Sequence, residues 1–431
     1  ARGAASWRPS RPAVSGASTD SLTTIRLTWT PKPGASVSVY RASFGSYPRY
    51  DDVGGTLPDS AAAPGASWVL ISASAATPFS DRPPVRGSWH YVAFASDSCD
   101  NRSAVSNMTR GSLDYILGDV SNKVTNGVGN NRVGVEDISL LGSRYGMTAV
   151  QILSANLFYL DVGPTVDGSV NSRPTTDNVI NFEDLAIFSL NFKITPAGTS
   201  ARPAAPQVAG DPGESFDLRA PALVGPSAEV AAVLHLDAAG AMQAFSVQLE
   251  WNPGVVQPMD VVSAGYIEAQ GGIVLSARGG GVDAALLGVR DHGMLGSGDV
   301  ATLHFRVLRA GDPGLRIGPI IARDASNRPV DPARIGGGLI ESAQTLLLAP
   351  SPNPARDAAT LAFGLSQGGS AELSIYAVDG RRVRTLVHGP RDAGVYRITW
   401  RGDDDGGHTQ GPGIYWARLI AEGRTFTRQI V

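Results

Sequence analysis

The sequence predicts a mostly β protein, a tandem series of β-sandwich and jelly-roll domains with one small helical unit among them. Three observations predict this class. The 431 residues include 51 glycines and 29 prolines, so turn-forming residues recur at short intervals. Apolar residues alternate with polar ones in many short segments, which is the period of half-buried strands. At roughly 100–200 residues per domain, the length accommodates about two to four domains.

Composition and charge exclude several classes of protein. Apolar residues make up 42% of the chain, charged residues 17%, and the net charge of −3 predicts no attraction to nucleic acid. No apolar run approaches the roughly 18 residues of a membrane helix, so no membrane span is expected. The single cysteine, Cys99, excludes an intramolecular disulfide. Because the sequence begins at Ala1, we expect an exported protein, extracellular or on the cell surface, whose signal peptide has been removed.

The N-terminal part of the chain predicts a tail and then a sandwich. Residues 1–13 are basic, contain proline and show no period, so we expect an N-terminal tail there. In residues 14–110, apolar and polar side chains alternate over 25–29 and again over 89–95. With Trp29 on an early strand and the run 89–93 on a late one, this segment resembles a fibronectin type III module, which implies a β-sandwich.

Residues 114–194 contain an internal repeat of an acidic loop followed by a short apolar helix. The first copy runs from Asp119 to Asp137 and the second from Asp161 to Asp184. Each closing acid lies in a similar segment, GVEDISLL in the first copy and INFEDLAIF in the second. Carboxylate, amide and main-chain oxygens in such a loop are the ligands that calcium prefers.

This repeat resembles a type I dockerin, the paired-loop calcium module, and the resemblance implies Ca²⁺ as the cofactor. The loops differ from that pattern in length, because 18 and 23 positions separate their first and last acids, against about 11 in a standard loop. The alternative is that the same residues form Asx turns that cap two helices without a metal. The implied metal ligands are Asp119, Ser121, Asn130, Arg132 and Asp137 in the first loop, and Asp161, Asp167, Asp177, Val179 and Asp184 in the second, with Arg132 and Val179 contributing their carbonyls.

After the repeat, the composition predicts a linker over residues 195–213, and strand periodicity resumes over 214–342. Apolar residues alternate with polar ones over 245–251 and over 301–307. The order of these strand segments resembles a cohesin, the jelly-roll partner of dockerins. That resemblance implies a protein-binding jelly roll on the same chain as the dockerin-like unit.

Residues 345–431 predict a last sandwich. A proline-rich opening, SPNP, precedes a strand that enters an Asp-Gly turn at Asp379 and leaves it again. Two further segments, GVYRITW and GIYWARL, follow. The segment resembles the immunoglobulin-like C-terminal domain shared by flagellar hook-cap proteins and type IX secretion cargo, which implies export or a structural role at the cell surface.

No catalytic constellation is recognisable in the sequence. Its six histidines lie outside any HExxH pattern, and P-loop and GxGxxG motifs are absent. We therefore predict that the protein is not an enzyme and has no catalytic residues.

The presence of dockerin-like and cohesin-like segments on one chain predicts a structural subunit of an extracellular assembly. We expect copies of the chain to join head to tail into a filament, reinforced by tail or strand exchange and by calcium. Other cohesin or dockerin surface proteins, or a polysaccharide, are further expected partners. Two alternatives stay open: a monomeric adhesin or scaffold whose dockerin-like and cohesin-like parts pair within one chain, and the non-catalytic part of an exported hydrolase.

Overall fold

The computed structural model describes most of the chain, in ten stretches. The predicted tail at 1–13 and the predicted linker at 195–213 lie outside the described residues. The described ranges are 23–30, 33–50, 67–99, 101–109, 111–193, 214–225, 229–277, 279–289, 292–335 and 345–431.

The first sandwich, residues 23–113, packs a two-stranded sheet, β1–β4, against a four-stranded sheet of order β3-β2-β5-β6. Its core is built on Ile25, Leu27, Trp89 and Tyr91, the side chains that the period-two pattern directs inward. The strands are β1 Ile25–Leu27, β2 Ser36–Ser43, β3 Val69–Ser72, β4 Phe79–Asp81, β5 Ser88–Ser96 and β6 Ser112–Leu113.

Strand β5 is buried on both of its faces. One face points into the core, and the other packs Val92 and Phe94 against Tyr40 and Trp68. Residues 101–109 run alongside β5, with hydrogen bonds from the amides of 103, 106 and 109 to β5 carbonyls. Alternation within β5 therefore separates two apolar clusters instead of a core face and a solvent face.

The helical unit, residues 114–193, contains α1 Val135–Arg144, α2 Ala149–Ala155 and α3 Phe182–Asn191. A capping box opens α3, since Asn181 Oδ1 accepts the Glu183 N–H at 2.8 Å and Asp184 accepts the Asn181 N–H at 2.8 Å. Helix α3 is the central element, because nine of its ten residues are buried.

The jelly roll, residues 214–335, packs two five-stranded sheets of order β10-β13-β8-β7-β16 and β11-β12-β9-β14-β15. Phe216, Phe245, Val247, Leu303 and Phe305 lie in the core between them. The strands are β7 Ser215–Arg219, β8 Glu229–Ala239, β9 Ala244–Glu250, β10 Val256–Ser263, β11 Gly272–Leu275, β12 Gly281–Leu286, β13 Leu295–Val307, β14 Arg316–Arg323, β15 Pro329–Val330 and β16 Ala333–Ile335.

The C-terminal sandwich, residues 345–431, packs sheet β17-β18-β21 on sheet β20-β19-β22-β23. Its core is a separate cluster around Leu361, Phe363, Leu373 and Leu419. The strands are β17 Leu346–Leu347, β18 Ala359–Leu365, β19 Gly369–Ala377, β20 Arg382–Arg391, β21 Gly394–Trp400, β22 Tyr415–Ala421 and β23 Arg424–Ile430.

The predicted class is confirmed: the protein is mostly β, with tandem sandwiches and three α-helices in the described part. Among the described residues, none of these helices has the length and apolarity needed to cross a bilayer.

Candidate calcium loops

The two acids that close the loops, Asp137 and Asp184, lie at the third position of α1 and α3. Each is fully buried and accepts three backbone N–H groups, one from its own helix cap and two from the residues that follow the leading acid of its loop. The donors to Asp137 are Gly134 at 2.7 Å, Val120 at 2.8 Å and Ser121 at 2.7 Å. The donors to Asp184 are Asn181 at 2.8 Å, Val162 at 2.6 Å and Gly163 at 2.9 Å.

The two leading acids, Asp119 and Asp161, are also buried and repeat the same geometry. Asn131 and Asn178 adopt left-handed backbone conformations, with φ of 64° and 62°. Their N–H groups donate to the leading acids, at 2.9 Å to Asp119 and 2.8 Å to Asp161. The sequence repeat is therefore a repeat of backbone structure, in which each pair of acids ties the start of a loop to the helix that ends it.

The first loop holds a cation from outside the helical unit. Nη2 of Arg86, in the first sandwich, lies 2.6 Å from Oδ2 of Asp119, and Nη1 donates to the Asp119 carbonyl at 2.6 Å. The side chains are 6% and 0% exposed. Tyr115 and Tyr47 flank the guanidinium, with ring centroids 4.9 and 5.6 Å from its carbon.

Burial shifts the titration of these acids. It raises the pKa of Asp119, against the opposing effect of the Arg86 guanidinium and two backbone N–H groups. It raises the pKa of Asp137 to about 6, helped by the charge of Asp119. It also raises the pKa of Asp184 well above its usual value, and the neighbouring Asp161 carboxylate adds to that shift.

Two predicted ligands of the first loop, Ser121 and Asn130, direct their side chains to groups other than its pair of acids. Asn130 donates through Nδ2 to Glu136 at 3.2 Å. Ser121 Oγ accepts the Lys123 N–H at 3.2 Å. With Arg86 on Asp119, the first loop does not fit a calcium ion, which requires six to eight oxygen ligands.

The second loop brings together Asp161 and Asp184 but leaves its other predicted acids in separate turns. Asp177 is exposed and accepts the Val179 N–H at 2.9 Å and Asn181 Nδ2 at 2.9 Å. Asp167 accepts the Ser169 N–H at 3.0 Å. Within the described ranges, no three Asp, Glu, His or Cys side chains converge closely enough to hold a metal. The second loop therefore offers calcium two convergent carboxylates, and further ligands would come from its turns.

The sequence prediction missed Arg86. It precedes Asp119 by 33 positions, in a different domain, and no local pattern links the two residues. Gly129 is the one local signal, because a Cβ at this position would overlap Arg86 Nη2 and Asp119 Oδ2. A glycine next to Asn130 and Asn131 thus indicates that another group approaches the backbone closely at this position.

The helical unit also packs against the jelly roll. Tyr145 donates to Asp283 Oδ2 at 2.8 Å, and Glu183 lies 3.6 Å from Arg323. One apolar cluster joins α1 and α3 to two alanines on the outward face of the jelly roll, Ala244 of β9 and Ala285 of β12. Every residue of β12 is buried, because one face serves the jelly-roll core and the other contacts the helical unit.

No family model matches the chain. Among curated proteins, it is similar to furin-like protease 1 of Drosophila melanogaster. Isoform 1-CRR is 27% identical over 163 residues, which covers 34% of this chain and 14% of that protein. The match to isoforms 1/1-X/2 is also 27% identical and covers 12% of their length. The chain therefore spans less than a sixth of the length of the curated relatives that it matches.

Among solved structures, the chain is similar to cohesin modules. A type I cohesin–dockerin complex from Clostridium thermocellum matches at 13% identity, with TM-score 0.22, over 28% of this chain and 90% of that one. A non-cellulosomal cohesin from Archaeoglobus fulgidus matches at 18% and 0.22, over 28% and 88%. A type II cohesin of Acetivibrio cellulolyticus matches at 10% and 0.22, over 29% and 95%. Matches at these TM-scores identify neither a partner nor a function.

Proposed function

We propose that the protein is a non-catalytic structural component of an extracellular or cell-surface assembly, in which the helical unit joins the first sandwich and the jelly roll of the same chain. The observation that carries this proposal is the shared apolar cluster. It includes Leu113 of the first sandwich, Phe188 of the helical unit and Ala285 of the jelly roll. A continuous core across three segments gives a stiff body, which suits a scaffold.

The contact between the helical unit and the jelly roll, here called the joint, favours pairing of these two parts within one chain over pairing between chains. Phe192 at the end of α3 lies against Gly288, and Gly142 of α1 lies against Leu275 of β11. These surfaces are covered in the single chain, so a second copy would have to displace them. Short connections give intramolecular contacts a high effective concentration, which favours the closed form.

A polar network on the jelly roll supports a non-catalytic role. His235 lies 2.6 Å from Asp299 through Nδ1 and 3.0 Å from Ser297 Oγ through Nε2, a spacing seen in serine hydrolases. The three residues lie on strands β8 and β13. The Asp299 side chain is 43% exposed and also contacts Arg219 at 3.2 Å, whereas the acid of a serine-hydrolase triad is buried and orients its histidine alone.

Calcium belongs to this proposal at the second loop. Asp161 and Asp184 would hold the ion, with Asp167, Asp177 and the Val179 carbonyl as the further sequence-predicted ligands. The ion would offset the repulsion between two buried carboxylates and stabilise the start of α3. The expected result is a calcium-dependent rise in Tm that Asp184→Asn abolishes, and an unchanged Tm across calcium and EDTA would contradict it.

A filament remains the second candidate, through surfaces other than the helical unit. Strand β3 lies at the edge of its sheet and exposes Val69 and Leu70, at 58% and 48%. An edge strand with apolar side chains can pair with a strand of another copy. Polymers formed in this way would persist in a variant whose helical unit has been displaced.

Sedimentation velocity at micromolar concentration tests the closed form. The wild type is expected as one compact monomer. Ala285→Arg places a charge in the joint, which should open the joint and lower the sedimentation coefficient. The control Ala231→Arg, at an exposed position of β8, should leave the sedimentation coefficient unchanged. Polymers of the wild type that Ala285→Arg disperses would overturn pairing within the chain.

A further inference from the structure

The two loops share their backbone geometry but differ in charge and in available space. Counting from the left-handed asparagines, Asn130 of the first loop corresponds to Asp177 of the second, so the first loop has a neutral amide where the second has an acid. Gly129 corresponds in the same way to Thr176. The first loop thus has less negative charge and more room than the second.

That room is filled by Arg86. Both oxygens of Asp119 are engaged, Oδ1 by the Asn130 N–H at 2.7 Å and Oδ2 by the Asn131 N–H at 2.9 Å together with the guanidinium. A side chain at position 129 would occupy the space of the guanidinium head group. At the corresponding place in the second loop, Thr176 has a side chain, whose Oγ1 donates to the Arg49 carbonyl at 3.0 Å.

We propose that Arg86 is the permanent cation of the first loop, standing where a calcium ion would otherwise be needed. An arginine keeps its charge at every physiological pH, and two N–H groups bind one carboxylate and one carbonyl in a fixed geometry. The first loop is then folded by a side chain of the first sandwich, independently of metal. The same contact fixes that sandwich to the helical unit, so the chain binds calcium at the second loop only.

Calcium binding in a chain whose second loop is disabled gives the direct test. Full-length Asp161→Asn is titrated with CaCl₂ in a calorimeter. The expected result is no binding, because the remaining loop already holds its cation. One equivalent of bound calcium in this variant would overturn the proposal. The wild type separates the two claims, since a wild type without calcium binding refutes only the calcium part of the proposed function.

Removing the guanidinium gives a second test. Arg86→Ala leaves the buried Asp119 carboxylate without its cation, and its Tm should fall by roughly 10 °C. In EDTA, low-millimolar methylguanidinium should restore part of that loss. The matched control is Arg41→Ala, which breaks a similarly buried pair, Arg41–Asp81 at 2.8 Å, inside the first sandwich. Its Tm should fall without rescue by methylguanidinium.

Gly129→Ala tests the same contact without deleting a charge. The added methyl group should displace the guanidinium and lower the Tm, whereas Gly411→Ala, where a Cβ meets no atom within 4 Å, should leave it unchanged. If Arg86→Ala and Gly129→Ala both keep the wild-type Tm in EDTA, Arg86 does not act as the cation of this loop. If Arg86→Ala fails to fold, the titration of Asp161→Asn still decides the proposal.

Discussion

At the scale of single residues, buried acids are concentrated around the helical unit. Asp114, Asp119, Asp137, Asp161 and Asp184 are each at most 1% exposed. A buried carboxylate is costly unless donors or a cation compensate its charge. Backbone N–H groups compensate four of these acids in pairs, and Arg86 adds a positive charge to one of them. Stability in this region should therefore depend on protonation and on cations.

Asp114 illustrates the dependence on pH. Burial raises its pKa to about 7, against the opposing Gly87 N–H at 2.8 Å. The folded state then binds the proton more tightly than the unfolded chain, so the stability that this group contributes is present below about pH 4 and lost as the pH rises through 7. The loss is about 4 kcal/mol at most.

Urea unfolding between pH 5 and 8 in EDTA measures this effect. Asp114→Asn cannot ionise, so its free energy of unfolding should change less with pH than that of the wild type over this range. Asp217→Asn, a partly exposed acid of the jelly roll, is the control and should keep the wild-type slope. Equal slopes for the wild type and Asp114→Asn would show that Asp114 titrates outside this range.

At the scale of elements, the joint between α1 and β12 combines apolar packing with one buried hydrogen bond. The Tyr145 hydroxyl, just after α1, donates to Asp283, which is 3% exposed in β12. Burial raises the pKa of Asp283, and the hydrogen bonds from Ser246 and Tyr145 partly oppose this shift. The bond therefore stabilises both the joint and the ionised form of the acid.

Tyr145→Phe removes this donor while keeping the ring. The loss of a hydrogen bond to a buried carboxylate should lower the free energy of unfolding by about 1–3 kcal/mol, measured by urea denaturation at pH 7. Tyr159→Phe, in the same unit and half-buried, should cost less. A smaller loss for Tyr145→Phe than for this control would mean that the joint opens in solution.

At the scale of the whole molecule, the chain divides into two cooperative parts. The first sandwich and the jelly roll both pack against the helical unit, whereas the C-terminal sandwich has a core of its own. Arg397 and Asp312 link the C-terminal sandwich to the jelly roll at 2.8 Å, and both are about half exposed, at 53% and 52%. Such an exposed ion pair contributes little to stability, so we expect two separate unfolding transitions.

Differential scanning calorimetry of the full chain checks this division. Leu419→Ala creates a cavity in the C-terminal core and should destabilise that part by about 2–5 kcal/mol, lowering one transition only. Leu234→Ala, in the jelly-roll core, should lower the other transition. A single transition, shifted by both variants, would mean that the C-terminal sandwich is coupled to the rest of the chain.

The sequence by itself determined the features that depend on near neighbours. Period-two alternation predicted strands such as β9 and β13, and the repeated acids predicted two equivalent loops, because strand faces and helix caps are set within a few residues. The equivalence of the leading and closing acids follows from this local chemistry. The fold class could therefore be predicted.

Only the tertiary structure decided which groups meet across long separations. Arg86 and Asp119 are 33 positions apart, and Tyr145 and Asp283 are 138 apart. Neither contact produces a periodic pattern in the sequence, because packing between domains depends on the shape and orientation of the folded surfaces. The sequence could thus predict a loop that requires a cation. Whether that cation is an arginine or a metal ion depends on the tertiary structure. So does whether the helical unit and the jelly roll pair within one chain.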